Sequence, residues 1–231
     1  MAERYFSAAT FKFQRDLAKN NNRTWFAANK QRYEDVLRDP FLRLIADMEA
    51  PLAKISKHYR ADPRPTGGSL FRIYRDTRFS KDRTPYKTHF SAAIRDRSKR
   101  GLEPGYYFHI DHAGMLLIGG GIYRPEPGIL KRVRAYIAAR PEALTRMLRH
   151  PRFRRTYSGF IDEDALVRPP KGYSADTPHI EAIKLRHFFA MNEINVKRRP
   201  PKDLAADLAD GFRDLLPMME WLRIAAAEAR Q

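Results

Sequence analysis

The 231-residue chain contains no cysteine. Disulfides, thiol catalysis, iron–sulfur clusters and thiolate zinc sites are therefore excluded. The sequence also lacks any run of about 18 apolar residues, so we expect no membrane-spanning helix. Residues 1–13 hold no continuous apolar stretch, so no signal peptide is expected. Because cysteine-free chains suit a reducing compartment, these absences together predict a cytoplasmic protein.

Acidic residues are scarce beside basic ones, with 27 Asp and Glu against 44 Lys and Arg, for a formal net charge of +17. Residues 64–100 hold 11 Lys or Arg against 3 Asp, and residues 131–155 hold 9 against one Glu. Such basic stretches attract nucleic acid, phosphorylated metabolites or acidic membranes. The alternative interpretation is a solvated basic face without a ligand.

The order of hydrophobic patterns predicts the fold class. Apolar residues recur at helical spacing before residue 60, short alternating runs follow, and helical spacing returns after residue 129. Helices, then strands, then helices predict an α+β fold with a largely antiparallel central sheet flanked by N-terminal and C-terminal helices. With no internal repeat and no long linker, we expect a single domain over residues 1–231.

The strands are predicted at residues 70–74, 88–95, 105–112, 115–118 and 187–194. A closing helix is predicted over residues 202–228, with Pro217 as a possible interruption. Gly119, Gly120 and Gly121 have two interpretations. They form either an anion cradle before the helix near Pro127 or a bulge where two backbones approach closely.

The densest chemical signal is the segment 72–87, in which cations alternate with tyrosines and aspartates. Guanidinium groups bind phosphate or carboxylate in a bidentate manner, and loops at sheet edges often hold functional residues. The predicted ligand-binding set is Arg72, Arg75, Asp76, Arg78, Lys81, Arg83 and Lys87.

Asp76 and Asp82 stand among these cations, which lower the pKa of a carboxyl group and make it a weak general base. We therefore interpret both as partners that orient Arg75, Arg78 and Lys81. The candidates for proton transfer are Asp82, Tyr86 and His89.

A metal site is not predicted. His109 and Asp111 share one face of a predicted strand, and two ligands without a third do not make a metal site. No cofactor is expected, because the sequence contains neither a phosphate-binding P-loop nor a dinucleotide fingerprint.

The segment resembles the signature of an uncharacterised bacterial family, domain of unknown function 2461, with the pattern R-x-x-R-D-x-R-F-x-x-D-K-x-x-Y. The matching residues are Arg72, Arg75, Asp76, Arg78, Phe79, Asp82 and Tyr86, while Arg83 replaces the usual lysine. The resemblance covers nearly the whole chain and includes Asn21, Asn22, Trp25, Phe26, the three glycines 119–121, and Pro170 to Tyr173. It implies a common fold and a shared site to which Lys171 contributes, and it implies no activity.

Three functions stay open. The first is binding of a phosphorylated or other polyanionic ligand, nucleic acid included, by an exposed basic surface with steep salt dependence. The second is an enzyme that holds a small anionic substrate with the same arginines in a closed pocket. The third is a structural ion-pair network, with the function residing in a protein partner. The sequence has no helix-turn-helix, zinc-finger or ribonucleoprotein motif, which argues against sequence-specific nucleic-acid recognition.

Overall fold

The protein is an α+β fold, here in a computed structural model that describes residues 5–78, 80–96, 104–197 and 203–227. The helices that precede the sheet are short and follow one another closely. They are α1 (Ala8–Lys19), α2 (Arg23–Ala28), α3 (Lys30–Tyr33), a π-helical segment (Glu34–Arg38), α4 (Asp39–Asp47) and α5 (Glu49–Ala53).

Polar residues at the helix starts set where α1 and α2 begin. Ser7 forms a capping box with Thr10 at the start of α1, and the Asn22 side chain accepts a hydrogen bond from the Trp25 N–H at the start of α2. Phe13 and Leu17 are fully buried on the inner side of α1. The helical spacing found before residue 60 is thus borne out in α1.

The π-helical segment lies just before Pro40, and this proline explains the departure from α-helical hydrogen bonding. Pro40 has no N–H, so the Val36 carbonyl four residues earlier loses its usual helical donor. The Thr10 hydroxyl donates to that carbonyl instead, at 2.7 Å. The interruption is therefore compensated by a side chain from α1.

The sheet has the order β1-β2-β3-β4 and is antiparallel. Its strands are β1 (Phe90–Ile94), β2 (Gly105–Ile110), β3 (Met115–Ile122) and β4 (Phe188–Asn195). Along β2 the side chains alternate, with Tyr106, Phe108 and Ile110 buried and Tyr107 and His109 half-buried. This alternation leaves a polar face on β2 that solvent reaches.

The strand predicted at residues 70–74 is wrong. The structure has only isolated antiparallel bridges there, Leu70 with Ala92 and Tyr74 with Tyr86. Three residues lie between Leu70 and Tyr74, whereas five lie between their partners Tyr86 and Ala92. A bend at Thr88 and His89 accommodates the two additional residues. The pairing register therefore changes between the two bridges, and a continuous strand cannot form.

The helices after β3 are α6 (Pro127–Ala139), α7 (Pro141–Leu148), α8 (Pro151–Arg154) and α9 (Ile180–Lys184), and α10 (Leu204–Ala226) follows β4. Pro217 lies inside α10, so the predicted interruption does not occur. Phe212, Leu215 and Leu222 are fully buried on this helix. Burial of three large side chains offsets the roughly 3 kcal/mol that an internal proline costs.

The chain divides into two compact units. The first contains the described residues of Met1–Ile94, Tyr107–Ile118 and Glu193–Ala209, and the second those of Arg95–Tyr106, Gly119–Asn192 and Asp210–Gln231. The prediction of a single domain over residues 1–231 stays a prediction. No helix among the described residues is long and apolar enough to span a membrane.

Each unit has an aromatic core of its own. In the first unit, Phe41 and Phe108 stack with ring centroids 5.2 Å apart, and both are buried. In the second, Tyr106 and Phe212 stack at 4.6 Å. Stacked, fully desolvated rings of this size contribute strongly to the stability of a core.

The three glycines at 119–121 lie inside β3 and not in a turn before a helix. A Cβ on Gly121 would lie 2.1 Å from the Phe188 carbonyl oxygen, and its φ is 125°. A Cβ on Gly119 would lie 2.7 Å from the Ala190 carbonyl oxygen. These contacts support the interpretation of close backbone approach, here between β3 and β4.

We expect Gly121→Ala to lower the free energy of unfolding by at least about 2 kcal/mol, because the new methyl group meets the β4 backbone and the φ angle is strained. Urea unfolding followed by circular dichroism measures this. Gly128→Ala on α6 is the control, because its Cβ would meet only the Arg132 Nη1 at 3.7 Å. Equal stability of the two variants would contradict the close-approach interpretation.

Candidate functional site

Residues 72–87 fold back on themselves, and we call them the basic hairpin. The Arg75 N–H donates to the Pro85 carbonyl at 2.8 Å, and the Lys87 N–H donates to the Ile73 carbonyl at 2.8 Å. These bonds pair the two arms, so the described residues among 76–84 form the tip. Phe79, part of the signature, lies outside the described residues.

Tyr86 anchors the hairpin to the first unit. Its ring stacks on Phe26 with centroids 4.2 Å apart, and only 4% of the residue is exposed. The Asn21 side chain bonds both backbone groups of Tyr86, donating to its carbonyl at 2.9 Å and accepting from its N–H at 3.0 Å. Burial raises the pKa of Tyr86. This environment suits an anchor better than a group that exchanges protons.

Two of the arginines are paired with the two aspartates. Arg78 donates to Asp76 through Nε at 3.0 Å and through Nη2 at 2.7 Å. The Arg75 guanidinium donates to the Asp82 carboxylate and to the Thr84 hydroxyl. The interpretation that the aspartates orient arginines is therefore confirmed for Arg75 and Arg78. For Lys81, no salt bridge with either aspartate is found among the described residues.

The same pairs determine the protonation of the carboxylates. The hydrogen bond from Arg78 lowers the pKa of Asp76 to about 2, and that from Arg75 lowers the pKa of Asp82 to about 2. A group so acidic is ionised at neutral pH and is a weak general base. These values argue against Asp82 as the proton-transfer residue.

Arg83 also binds within the hairpin, because its Nη1 donates to the Thr77 carbonyl at 2.9 Å across the tip. Beside it lies a cleft of about 520 Å³ that is open to solvent. The cleft is lined by Asn21, Asn22, Arg23, Thr77, Asp82, Arg83, Thr84 and Pro85. The tip is thus a surface feature and not the mouth of an enclosed cavity.

The other cations of the hairpin have no such partner. In the described part of the chain, no carboxylate forms a salt bridge with Arg72, Lys81 or Lys87. Lys87 is half-buried, with its Nζ 5.1 Å from the centroid of the Phe71 ring. Burial lowers the pKa of Lys87, and the charge of Arg72 lowers it further. The charge of Arg72 also lowers the pKa of Asp76, although the two side chains form no salt bridge. Two cations therefore lie close together without a salt bridge, and one of them is partly desolvated.

Next to Lys87 lies a pair of histidines. The rings of His89 and His109 have centroids 5.0 Å apart, and the Tyr107 hydroxyl is hydrogen-bonded to the His109 Nδ1 at 3.1 Å. Both histidines are half-buried. We call His89, Tyr107 and His109 the histidine face.

The histidine face is held in the neutral state. Burial lowers the pKa of His89, and Lys87 lowers it further. Burial and then His89 lower the pKa of His109 to about 4, while Asp111 opposes both shifts. A neutral imidazole accepts protons and hydrogen bonds, which an imidazolium cannot do.

Sequence reasoning missed His109 and Tyr107 as members of this cluster. Strand alternation correctly placed His109 and Asp111 on one face, but only the pairing of β1 with β2 brings that face against His89. Among the described residues, no group of three His, Asp or Glu side chains is arranged to hold a metal ion.

Lys171 belongs to the second unit, where it is exposed in a turn before Tyr173. Gly172 in this turn has a φ of 94°, which favours glycine. The contribution of Lys171 to ligand binding stays a prediction.

We expect Arg75→Ala to lower the melting temperature by roughly 2–4 °C, because its side chain joins Asp82 and Thr84 across the hairpin. Arg78→Ala should lower it less, because the Arg78 side chain is exposed and its ion pair with Asp76 joins near neighbours in sequence. Thermal unfolding followed by circular dichroism compares them. A larger loss for Arg78→Ala would show that the hairpin depends on a different contact.

We expect the His109 C2–H resonance to titrate with a midpoint at about pH 4, well below the ordinary value of 6.5. Because the folded-state pKa is the lower one, protonation favours the unfolded chain. His109 therefore stabilises the fold above pH 6.5 and loses this contribution as the pH falls through about 4. Proton NMR follows the titration, and the His109→Gln variant assigns the signal.

Lys87→Gln provides a second test of the histidine face by the same NMR titration. Because Lys87 lowers the pKa of His89, we expect the His89 midpoint to rise in this variant. An unchanged midpoint would contradict the closeness of these two side chains.

Comparison with known proteins identifies the family of this chain. No curated protein and no solved structure matches the chain. A family model described as "conserved hypothetical protein (DUF2461)" matches residues 9–221, which include the basic hairpin, the histidine face and the turn at Tyr173. The chain therefore belongs to the DUF2461 family.

Proposed function

We propose that this protein binds a phosphorylated or other polyanionic ligand through the basic hairpin. The observation that carries the proposal is the pair Arg72 and Lys87, two neighbouring cations that form no salt bridge with a carboxylate in the described part of the chain. Their mutual repulsion and the burial of Lys87 raise the energy of the unliganded site. An anion placed between them would lower that energy on both counts.

The remaining charges of the hairpin have a different part in the proposal. Arg75, Arg78 and Arg83 each bond within the hairpin, so they stiffen the tip. Arg72, Lys81 and Lys87 are left to contact the ligand. A stiff loop presents them with less loss of side-chain and backbone entropy on binding. The structural-network hypothesis thus accounts for Arg75, Arg78 and Arg83. The binding hypothesis accounts for Arg72, Lys81 and Lys87.

The openness of the hairpin surface favours binding over an enclosed catalytic pocket, since the cleft at the tip faces solvent. An open basic surface accepts both small phosphorylated molecules and nucleic-acid strands. In the cytoplasmic location that we expect from the sequence, both classes of ligand are abundant. Salt dependence distinguishes them, because a strand releases many counter-ions on binding.

A second candidate function is proton transfer on a small anionic substrate. The supporting observation is the neutral His89 and His109 pair beside Lys87. A neutral imidazole within reach of a bound anion is suited to act as a general base. In this case Arg72 and Lys87 would hold the substrate, and His89 would take the proton.

Binding is tested with inorganic pyrophosphate, adenosine monophosphate and a short single-stranded RNA, at about 50 mM and about 200 mM salt. We expect the double variant Arg72→Gln with Lys87→Gln to bind roughly tenfold more weakly or worse, because it loses two charge-assisted contacts. Calorimetry measures the small ligands, and fluorescence anisotropy measures the RNA. Thermal unfolding without ligand checks that the variant is folded.

The matched control is Lys30→Gln with Lys54→Gln, which removes two exposed charges from the first unit away from the hairpin in sequence. Binding of a small ligand that survives the higher salt would support a specific site. Binding of RNA alone, lost at the higher salt, would support a nonspecific polyanion surface. Equal binding by the wild type and both double variants would contradict the proposal.

A further inference from the structure

Tyr74 in the basic hairpin presents an aromatic ring to solvent. Among the described residues of the first unit, it is the only large hydrophobic side chain that is exposed, with 53% of the residue accessible. A lone exposed tyrosine is ordinary on a protein surface. The rings that support Tyr74 and the charges around it are what distinguish this one.

The rings beneath Tyr74 hold it in place. Its ring lies against that of Tyr86, with centroids 5.4 Å apart, and Tyr86 stacks on Phe26 with centroids 4.2 Å apart. The backbones of Tyr74 and Tyr86 form an antiparallel bridge, which a hydrogen bond on each side fixes. The three rings thus form a column that is buried at Phe26 and exposed at Tyr74. A ring that is already fixed loses little entropy when a planar group stacks on it.

Cations precede and follow this ring along the chain. Exposure alternates over residues 71–78, and the more exposed residues are Arg72, Tyr74, Asp76 and Arg78. Asp76 is bonded to Arg78, whereas Arg72 forms no salt bridge with a described residue. The exposed ring therefore has an uncompensated positive charge two residues before it.

Further cations lie in the cleft beside the column, which is open to solvent and has a volume of about 520 Å³. Pro85, which directly precedes Tyr86, lines this cleft together with Arg23 and Arg83. Arg23 is exposed and forms no salt bridge in the described part of the chain. The carboxylate in the lining, that of Asp82, is bonded within the hairpin. The hairpin thus combines a fixed aromatic surface with an adjacent basic cleft.

We propose that the ligand of the basic hairpin is a single strand of nucleic acid, with one base stacked on Tyr74 and its phosphates against Arg72 and the arginines of the cleft. This inference rests on the function proposed above and names the ligand class of the same site. Proteins bind single strands by this combination of aromatic rings and a basic groove. Polyphosphates and phosphorylated sugars have no base to stack, so they would leave the exposed ring unused. Stacking accepts every base, so we expect little sequence preference.

The full chain is tested by fluorescence anisotropy at about 50 mM salt. The probes are a short single-stranded DNA and a strand of the same length in which every nucleotide lacks its base. Both carry the same phosphates, so their difference isolates the bases. We expect the abasic strand to bind roughly tenfold more weakly, because base–aromatic stacking is lost. Adenosine monophosphate, added as a competitor, should bind at least tenfold more weakly than the strand, because it offers a single phosphate.

Variants of Tyr74 test the ring directly. Tyr74→Leu should weaken binding of the DNA strand roughly tenfold and leave binding of the abasic strand unchanged. Tyr74→Phe keeps the ring and should restore most of the lost affinity. The matched control is Tyr123→Leu, which removes a similarly exposed tyrosine from the second unit and should leave both affinities unchanged. Thermal unfolding without ligand checks that the variants are folded, and the comparison of the two strands with the wild type needs no variant.

Equal affinity of the wild type for the DNA strand and the abasic strand would overturn the inference. Equal losses in Tyr74→Leu and Tyr123→Leu would also overturn it, as would adenosine monophosphate that binds as tightly as the strand. In each of these cases the hairpin proposal stands if Arg72→Gln with Lys87→Gln still weakens binding. Failure of the hairpin proposal has a different sign, because this double variant would then bind both strands as tightly as the wild type does.

Discussion

The repulsion among the cations of the basic hairpin is the constraint on which the rest of the candidate site depends. Two aspartates are available within residues 72–87, and each is bonded to one arginine. Asp82 holds Arg75 across the hairpin, whereas Asp76 holds Arg78 locally. The distribution of these two carboxylates leaves Arg72, Lys81 and Lys87 without a salt bridge among the described residues. The pairing of the two aspartates thus has two consequences. It fixes the shape of the loop, and it leaves the remaining cations of the hairpin to attract an anion.

A strongly charged loop of this kind keeps its shape only if something apolar fixes it. Tyr86 supplies the fixed point, with its ring against Phe26 and its backbone held by Asn21. The buried ring contributes apolar burial, and the amide pairing sets the orientation of the arm. Contacts with Asn21, just before α2, and with Phe26, in α2, therefore fix the position of the hairpin arm that contains Tyr86.

Partial burial distinguishes Lys87 from most of the other cations. It is half-buried near Arg72 and beside the neutral His89. A protein with a net charge of +17 has many exposed cations, and desolvation of a charge is costly unless an opposite charge compensates it.

The amino-acid sequence alone determined the fold class, most of the helices and strands, and the segment that carries the candidate site. These are local properties, since helical spacing, strand alternation and charge density can all be read over a few residues. The sequence also predicted correctly that Asp76 and Asp82 orient arginines, because carboxylates surrounded by cations form ion pairs. It could not distinguish which arginine each would bind.

Only the tertiary structure decided how distant residues meet. The pairing of β1 with β2 brings His109 and Tyr107 to His89, and the close approach of β3 and β4 explains Gly121. The register change at Thr88 and His89 replaces the predicted strand at residues 70–74 by isolated bridges, and burial around Phe212 carries α10 past Pro217. Each of these outcomes depends on contacts between residues far apart in the chain, and local periodicity carries no information about such contacts.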